Sequence, residues 1–303
     1  MIDLSVRIGG LQLANPILTA SGTFGYGSEF ADFMDLNQLG GIVTKTITLE
    51  SRPGNPAPRI CETPAGMLNS IGLPNLGVAR FIEEKWPFLS TLRTAVIVNV
   101  AGRSMDDFVA AIEALEPVAG IAAYELNYSC PNVKEGGLAF SSEAQVAAKL
   151  TRKIRGVTRR PLIAKLTPNV ARIGEIGRAC EASGADAVSA INTLVGMAVD
   201  IRTRKPRLAT VTGGLSGPAI RPVALAKVYE LVQTLSIPVI GIGGIATATD
   251  ALEFIIAGAA AVQIGTAGFM NPCAAAEVVK GLEAYCHQER VESLAELRGS
   301  LRL

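Results

Sequence analysis

One histidine, one tryptophan and no paired cysteine motif in 303 residues remove several classes of chemistry at once. The single histidine, His287, falls in a helical pattern near the C-terminus, where a surface position is expected, so an imidazole-based mechanism is disfavoured. The five cysteines, Cys61, Cys130, Cys180, Cys273 and Cys286, are odd in number, scattered and never spaced Cys-x-x-Cys. They fit neither a disulfide framework nor a metal or iron–sulfur site. Charge is also scarce and balanced: charged residues make up 18%, with 28 Lys plus Arg against 27 Asp plus Glu. No net field draws the chain to nucleic acid or to an anionic membrane. The start lacks a basic segment followed by an apolar one, and later apolar runs are interrupted too soon to span a bilayer. The expectation is a soluble, cytoplasmic protein.

What is abundant is apolar material and glycine, 49% and 31 residues, enough for a large core with many tight turns. Short β-branched runs alternate with amphipathic segments, the pattern of a parallel sheet. Eight runs are read as strands: 15–21, 41–46, 95–100, 124–127, 161–166, 187–192, 238–242 and 261–265. Helices are expected between them, among others over 105–116, 143–157 and 221–235. Eight such units in one chain favour an α/β fold of the (β/α)8 barrel type over an open doubly wound sheet, as a single domain over 1–303. Residues 4–13 alternate around Gly9-Gly10 and read as a short N-terminal β-hairpin closing the bottom of the barrel. Residues 50–75 are too long and too rich in Pro and Gly for a simple turn, and are read as a long loop forming one pocket wall.

Barrels of this type place their chemistry at the C-terminal ends of the strands. There the sequence sets Ser21, Lys45, Asn99, Asn127, Lys165, Asn192 and the pair Gly243-Gly244. Any one of them could simply end a strand; seven at equivalent positions, two of them lysines, describe a site. Segments 240–245 and 263–267 follow the last two strands and expose backbone N–H groups where barrels bind phosphate. Gly241-Ile-Gly-Gly-Ile-Ala246 also matches a dinucleotide pattern, yet the next strand ends in Gln263-Ile-Gly-Thr266 and lacks the acidic residue that would hold a ribose. Two lysines in a barrel mouth require an anionic or electron-rich partner. Flavin mononucleotide (FMN) meets both demands. A sugar phosphate in an aldolase-type barrel, with Lys45 or Lys165 as Schiff-base amine, is the rival reading, and a noncatalytic barrel subunit is a third. After the fourth strand comes a polar loop carrying Cys130 among Asn127, Ser129, Pro131 and Asn132. These neighbours are unlike those of a buried, inert thiol, and an aldolase has no evident use for it.

At Asn127-Tyr-Ser-Cys-Pro-Asn132 the chain resembles the class 1 dihydroorotate dehydrogenases. The likeness extends over Asn15-Pro-Ile-Leu-Thr-Ala-Ser-Gly-Thr-Phe-Gly25, Lys45-Thr46, Asn69-Ser-Ile-Gly-Leu-Pro-Asn75, Ile191-Asn-Thr193, Gly213-Gly-Leu-Ser-Gly-Pro218 and both phosphate loops. The resemblance implies an FMN barrel that oxidises (S)-dihydroorotate to orotate in pyrimidine (UMP) synthesis, with Cys130 as base and Lys45 beside it. It implies that FMN is held by Ser21, Lys45, Thr46, Asn99, Asn127, Lys165, Ile191, Gly217, Gly243, Gly244, Gly265 and Thr266. Substrate would be held by Lys45, Asn69, Ser70, Ile71, Gly72, Leu73, Asn127, Asn192 and Thr193. A class 2 enzyme would carry a serine base and a membrane-associating N-terminal extension, and Cys130 speaks against it. The segments 133–137 and 22–27 are similar to subgroup 1B rather than to the fumarate-using subgroup 1A. Subgroup 1B implies a homodimer within a heterotetramer, whose partner is an iron–sulfur flavoprotein subunit carrying FAD and passing electrons to NAD.

Overall fold

The structure, a computed structural model, describes residues 2–128 and 143–303. Cys130, with the loop 129–142, lies outside the described residues. The eight expected runs become the strands of one closed, all-parallel barrel: β1 (Ile17–Thr19), β2 (Gly41–Val43), β3 (Ala95–Val100), β4 (Ala123–Asn127), β5 (Leu162–Leu166), β6 (Ala187–Ala190), β7 (Val239–Ile242) and β8 (Ala261–Ile264). Each strand neighbours the next in sequence, and β8 closes onto β1. This is the α/β barrel that the sequence predicts. The expected strands are trimmed at their ends, where backbone groups find other partners. The carboxamide oxygen of Asn15 accepts from the Ile17 N–H, making a local turn before β1. Lys45 N–H leaves the ladder to bond Gly25 O at 2.7 Å.

Alternation along the strands sorts side chains into those facing the barrel axis and those facing the helices. Leu18, Val43, Ile97, Ala123, Ile163, Ala187, Ile240 and Ala261 form one apolar cluster, a floor to which every strand contributes. Below it sits the N-terminal hairpin, Val6–Ile8 paired with Leu11–Leu13, which seats Ile8 and Leu13 in that cluster. Gly9 turns the hairpin at φ +57°, and a Cβ there would lie 2.9 Å from the Asp186 Cβ. Outside the barrel, helices Met105–Leu115, Ala144–Arg155 and Arg221–Thr234 fall where expected, and Val78–Glu84, Ile173–Glu181, Ala248–Ile256 and Ala274–Glu289 join them around it. Capping boxes fix two helix starts, Ser104 with Asp107 and Thr247 with Asp250, each satisfying otherwise orphaned N–H groups. Their inner faces pack on the strands' outer faces in the main core, where Phe108, Leu150, Leu231 and Phe254 are fully buried. Each such side chain contributes about 1.5–3 kcal/mol by leaving water.

Residues 50–75 correct one expectation. Rather than a loop throughout, they contain strands Ile60–Thr63 and Gly66–Asn69, which join Thr212–Ser216 and Leu194–Met197 in a four-stranded antiparallel side sheet. The side sheet depends on glycine where backbones approach closely: a Cβ on Gly213 would lie 2.6 Å from Asn69 O. Thr266, just beyond β8, donates its hydroxyl to Ser216 Oγ at 2.8 Å. That bond ties the side sheet to the C-terminal end of the barrel.

Candidate functional site

Two residues beyond the floor, towards the C-terminal ends, the inward positions of β3, β4, β5, β6 and β8 turn polar. Asn99 of β3 pairs in register with Glu125 of β4, Lys165 of β5 with Ser189 of β6, and Ile242 of β7 with Gln263 of β8. Asn99, Glu125 and Ser189 are wholly buried, and Gln263 and Lys165 nearly so. Glu125 is the hub. Its Oε1 accepts from Asn99 Nδ2 at 2.6 Å and lies 3.5 Å from Lys165 Nζ; its Oε2 accepts from Ser189 Oγ at 2.9 Å and Gln263 Nε2 at 2.5 Å. Taking a carboxylate out of water costs several kcal/mol, so a buried one is found only where charge and hydrogen bonds compensate it. Lys165 also reaches Ser21 Oγ at 3.4 Å. Ser21, Asn99 and Lys165, chosen from the sequence, are thus joined through Glu125, which was not. The available signal was one acidic residue between Tyr124 and Leu126 inside the strand Ala123–Asn127.

Above this ring stand the remaining expected residues. Asn192 Nδ2 donates to Asn127 Oδ1 at 3.3 Å, and Asn192 Oδ1 accepts the Thr193 N–H at 2.8 Å. The side sheet adjoins them, since a Cβ on Gly214 would strike the Thr193 side chain. Asn69 Nδ2 donates to Gly214 O at 3.3 Å. Asn69, Asn127, Asn192 and Thr193 therefore form one connected group, with part of the Asn69 amide engaged by the side sheet. Residues 70–73 are shaped by Asn55 and Arg59: Asn55 bonds the carbonyls of Ser70 and Ile71, and Ser70 N–H bonds Arg59 O. Gly72 and Leu73 take positive φ, +80° and +55°, and Ser70 Oγ is buried without a partner among the described residues.

Lys45 is half-buried and Thr46 buried. Burial holds the Lys45 amine below the ordinary lysine range; Glu29 opposes the shift and Arg59 adds to it. An ammonium in this position gains from an anion beside it. Across the mouth, Gly217, Gly243 and Gly244 take φ of +94°, +130° and +73°. Side chains there would collide with the fold, a Cβ at Gly243 lying 2.7 Å from Ala224 Cβ and one at Gly244 2.7 Å from Arg221 Cβ and 2.9 Å from Gly217 O. Gly243 lies against Ile191, and Gly265 against Ala20 at the end of β1. Gly217, Gly243, Gly244, Gly265 and Thr266 are thus neighbours beyond the last two barrel strands, a Cβ on Gly217 lying 3.6 Å from Thr266 Cγ2, and glycine backbone of this kind leaves N–H groups open to an anion. Gln263 lies in the eighth strand, as expected, and belongs to the buried ring, so of the segment 263–267 only the part from Gly265 onward lies beyond the strand.

The remaining cysteines and the histidine stand apart. Cys61, Cys180 and Cys286 are buried, and burial pushes the Cys180 thiol up to about 12, with a hydrogen bond to Thr151 opposing. His287 is exposed on the C-terminal helix. Among the described residues no helix is long and apolar enough to cross a membrane.

Comparison with known proteins bears on the family and the fold. The family model described as dihydroorotate dehydrogenase matches residues 3–286. A protein of Geotalea uraniireducens named dihydroorotate dehydrogenase B (NAD(+)), catalytic subunit, is 52% identical over 299 residues, covering 99% of this chain and 98% of its own. Proteins of the same name from Desulforamulus reducens and Bacteroides thetaiotaomicron are 52% and 50% identical over 302 and 303 residues, with at least 99% of each chain covered. Among solved structures, DHODH in complex with ferulenol from Eimeria tenella superposes with a TM-score of 0.82 at 21% identity, over 98% of this chain and 88% of that one. That likeness speaks for the barrel fold. With the family model matched over residues 3–286 and about half of its residues shared along its whole length, this chain belongs to the dihydroorotate dehydrogenase family.

Proposed function

We propose that this chain oxidises (S)-dihydroorotate to orotate for pyrimidine synthesis in the cytoplasm, as the FMN-bearing catalytic subunit of an NAD-linked enzyme. The observation that carries the reading is the polar ring with a glycine cluster at the mouth. Two buried carboxamide oxygens of the ring, Asn99 Oδ1 and Gln263 Oε1, have no partner among the described residues, so the mouth calls for a ligand that donates hydrogen bonds. FMN fits this donor and acceptor set: its ring carries an imide N–H, its phosphate suits the backbone N–H groups of Gly217, Gly243, Gly244, Gly265 and Thr266, and Lys165 and Lys45 supply positive charge.

Bound FMN would supply a two-electron acceptor for the hydride that leaves the substrate. The chain's own residues do the rest. Cys130 takes the proton from the carbon next to the substrate carbonyl; a free thiol, of pKa about 8.5, has a usable thiolate fraction near neutrality. Lys45 holds the substrate carboxylate, and the anion restores the ammonium form that burial disfavours. The relay Asn127, Asn192, Thr193, backed by Asn69 and Gly214, fixes the orientation of amide groups that suit the donor and acceptor edges of a dihydropyrimidine. The backbone over Ser70, Ile71, Gly72 and Leu73 completes that side. The Schiff-base alternative fares poorly, because Lys165 is engaged by Glu125 and Ser21 rather than free to attack.

The name shared by the relatives, a catalytic subunit linked to NAD(+), supports a second polypeptide. The partner is an iron–sulfur flavoprotein carrying FAD, in a heterotetramer built on a homodimer of this chain. The test is acceptor specificity. The purified chain is expected to turn over dihydroorotate with an artificial dye and to reduce NAD efficiently only after the flavoprotein subunit is added. Efficient NAD reduction by the chain alone would refute the division of labour. Rapid turnover with fumarate would assign the chain to subgroup 1A, and borohydride trapping of a carbonyl substrate on Lys45 or Lys165 would favour the aldolase reading.

A further inference from the structure

Glu125 determines more than local charge balance. An ionised carboxylate only accepts hydrogen bonds and offers about four lone-pair sites. Here donors from four other strands fill them: Asn99, Lys165, Ser189 and Gln263. The chemistry then fixes both amide orientations. Asn99 and Gln263 must turn their NH2 ends to Glu125, which directs Asn99 Oδ1 and Gln263 Oε1 away from it. Both oxygens are buried and unpartnered among the described residues. Beneath the ring lies the apolar floor, which has no donor to offer them. The open side is the mouth.

We propose that Glu125 is a positioning residue that sets the hydrogen-bond polarity and the net charge of the cofactor site. By gripping two amides at their donor ends it presents two carbonyl acceptors to the ligand, and by pairing with Lys165 it moderates the one ammonium of the ring. The ligand class so selected is a planar heterocycle with an imide N–H on its edge, which an amide turned the other way would repel. The inference rests on the flavin reading given above and extends it to a residue that would touch no part of the cofactor. Loss of the carboxylate has two separable effects. Neutral glutamine at position 125 has a donor end of its own, so one neighbouring amide must flip, most directly Gln263, and present a donor to a donor. The positive charge of Lys165 is also left without its counter-charge, which favours the anionic, reduced ring.

The experiment measures FMN affinity by titrating apoprotein, and midpoint potential by spectroelectrochemistry, for the wild type, Glu125→Gln, Gln263→Leu and Ser189→Ala. For Glu125→Gln the FMN Kd is expected to rise about tenfold or more, the consequence of a buried mismatched polar pair, and the potential to become more positive. Gln263→Leu should weaken FMN comparably with a smaller change in potential, because it removes an acceptor and no charge. Ser189→Ala keeps the carboxylate and both amides and should stay within about twofold of wild type in affinity. The inference is overturned if Glu125→Gln matches wild type in affinity, if its potential becomes more negative, or if Ser189→Ala loses as much as Glu125→Gln. Should Glu125→Gln fail to fold, Gln263→Leu decides: wild-type FMN affinity there overturns the proposal and weakened affinity sustains it. A wild-type chain that binds no FMN refutes the functional reading itself, whereas FMN binding indifferent to position 125 refutes this inference alone.

Discussion

Replacing Lys165 by methionine removes the one positive charge that, among the described residues, pairs with Glu125, while keeping much of the lysine's volume. The pair is buried, with side-chain exposures of 7% for Lys165 and 0% for Glu125, so solvent screening does little to reduce the loss. Removing one member of such a pair typically costs 3–5 kcal/mol, because the other charge stays buried without compensation. Glu125 keeps its bonds from Asn99, Ser189 and Gln263, which places the expected cost near the lower end, about 3 kcal/mol. At roughly 2.1 cal/mol/K of unfolding entropy per residue, a chain of 303 residues loses roughly 1.5 °C of melting temperature per kcal/mol. The Lys165→Met apoprotein should therefore melt about 5 °C lower. Thermal unfolding of the apoprotein, followed by circular dichroism, isolates this effect from any contribution of bound cofactor. The double variant Lys165→Met/Glu125→Gln, neutral at both positions, should recover part of the loss, a coupling that a double-mutant cycle measures. A melting point within about 1 °C of wild type, or a double variant no more stable than Lys165→Met, would refute the view that Lys165 compensates a buried carboxylate.

Three further outcomes follow from the site. Cys130→Ala should retain FMN and orotate binding while flavin reduction by dihydroorotate slows about a hundred- to ten-thousandfold; near-wild-type reduction at neutral pH in stopped flow would remove the thiol from the reaction. Because burial depresses the Lys45 pKa, the unfolded chain binds the proton that the folded chain has released in the interval between the folded value and the ordinary lysine value. Apoprotein stability should therefore gain from Lys45 as pH rises through that interval, and Lys45→Met should abolish that component of a pH series of denaturant titrations. Orotate should bind more weakly over the same rise in pH, as its ammonium partner is lost, and a pH-independent Kd by calorimetry would contradict this. Gly244→Ala forces a side chain onto Arg221 and Gly217 at a φ of +73°; apoprotein titration should find FMN binding weakened at least tenfold, and unchanged affinity would exclude Gly244 from the phosphate site.

The barrel was legible in the sequence because each strand is a local pattern: a β-branched run, a polar terminus, then an amphipathic helix. Lys45, Asn127 and Lys165 could be chosen for the same reason, as polar residues where apolar runs end. Glu125 could not, since its meaning depends on closure. It lies between Tyr124 and Leu126 in one strand, and its partners stand 26, 40, 64 and 138 residues away, brought together only when β8 meets β1. Gln263 was obscured by the glycine loop that follows it. The side sheet was missed on similar grounds: Asn69 and Gly214, 145 residues apart, pair through glycine-rich segments whose lack of side chains gives no strand pattern to read.

The central claim is that this barrel binds a flavin which dihydroorotate reduces. The direct measurement is an anaerobic titration of the purified chain, reconstituted with FMN and monitored at the flavin band near ~450 nm. The account predicts that dihydroorotate bleaches the band with one orotate formed per flavin. A chain that cannot hold FMN, or a bound flavin that stays oxidised in excess dihydroorotate, would contradict it.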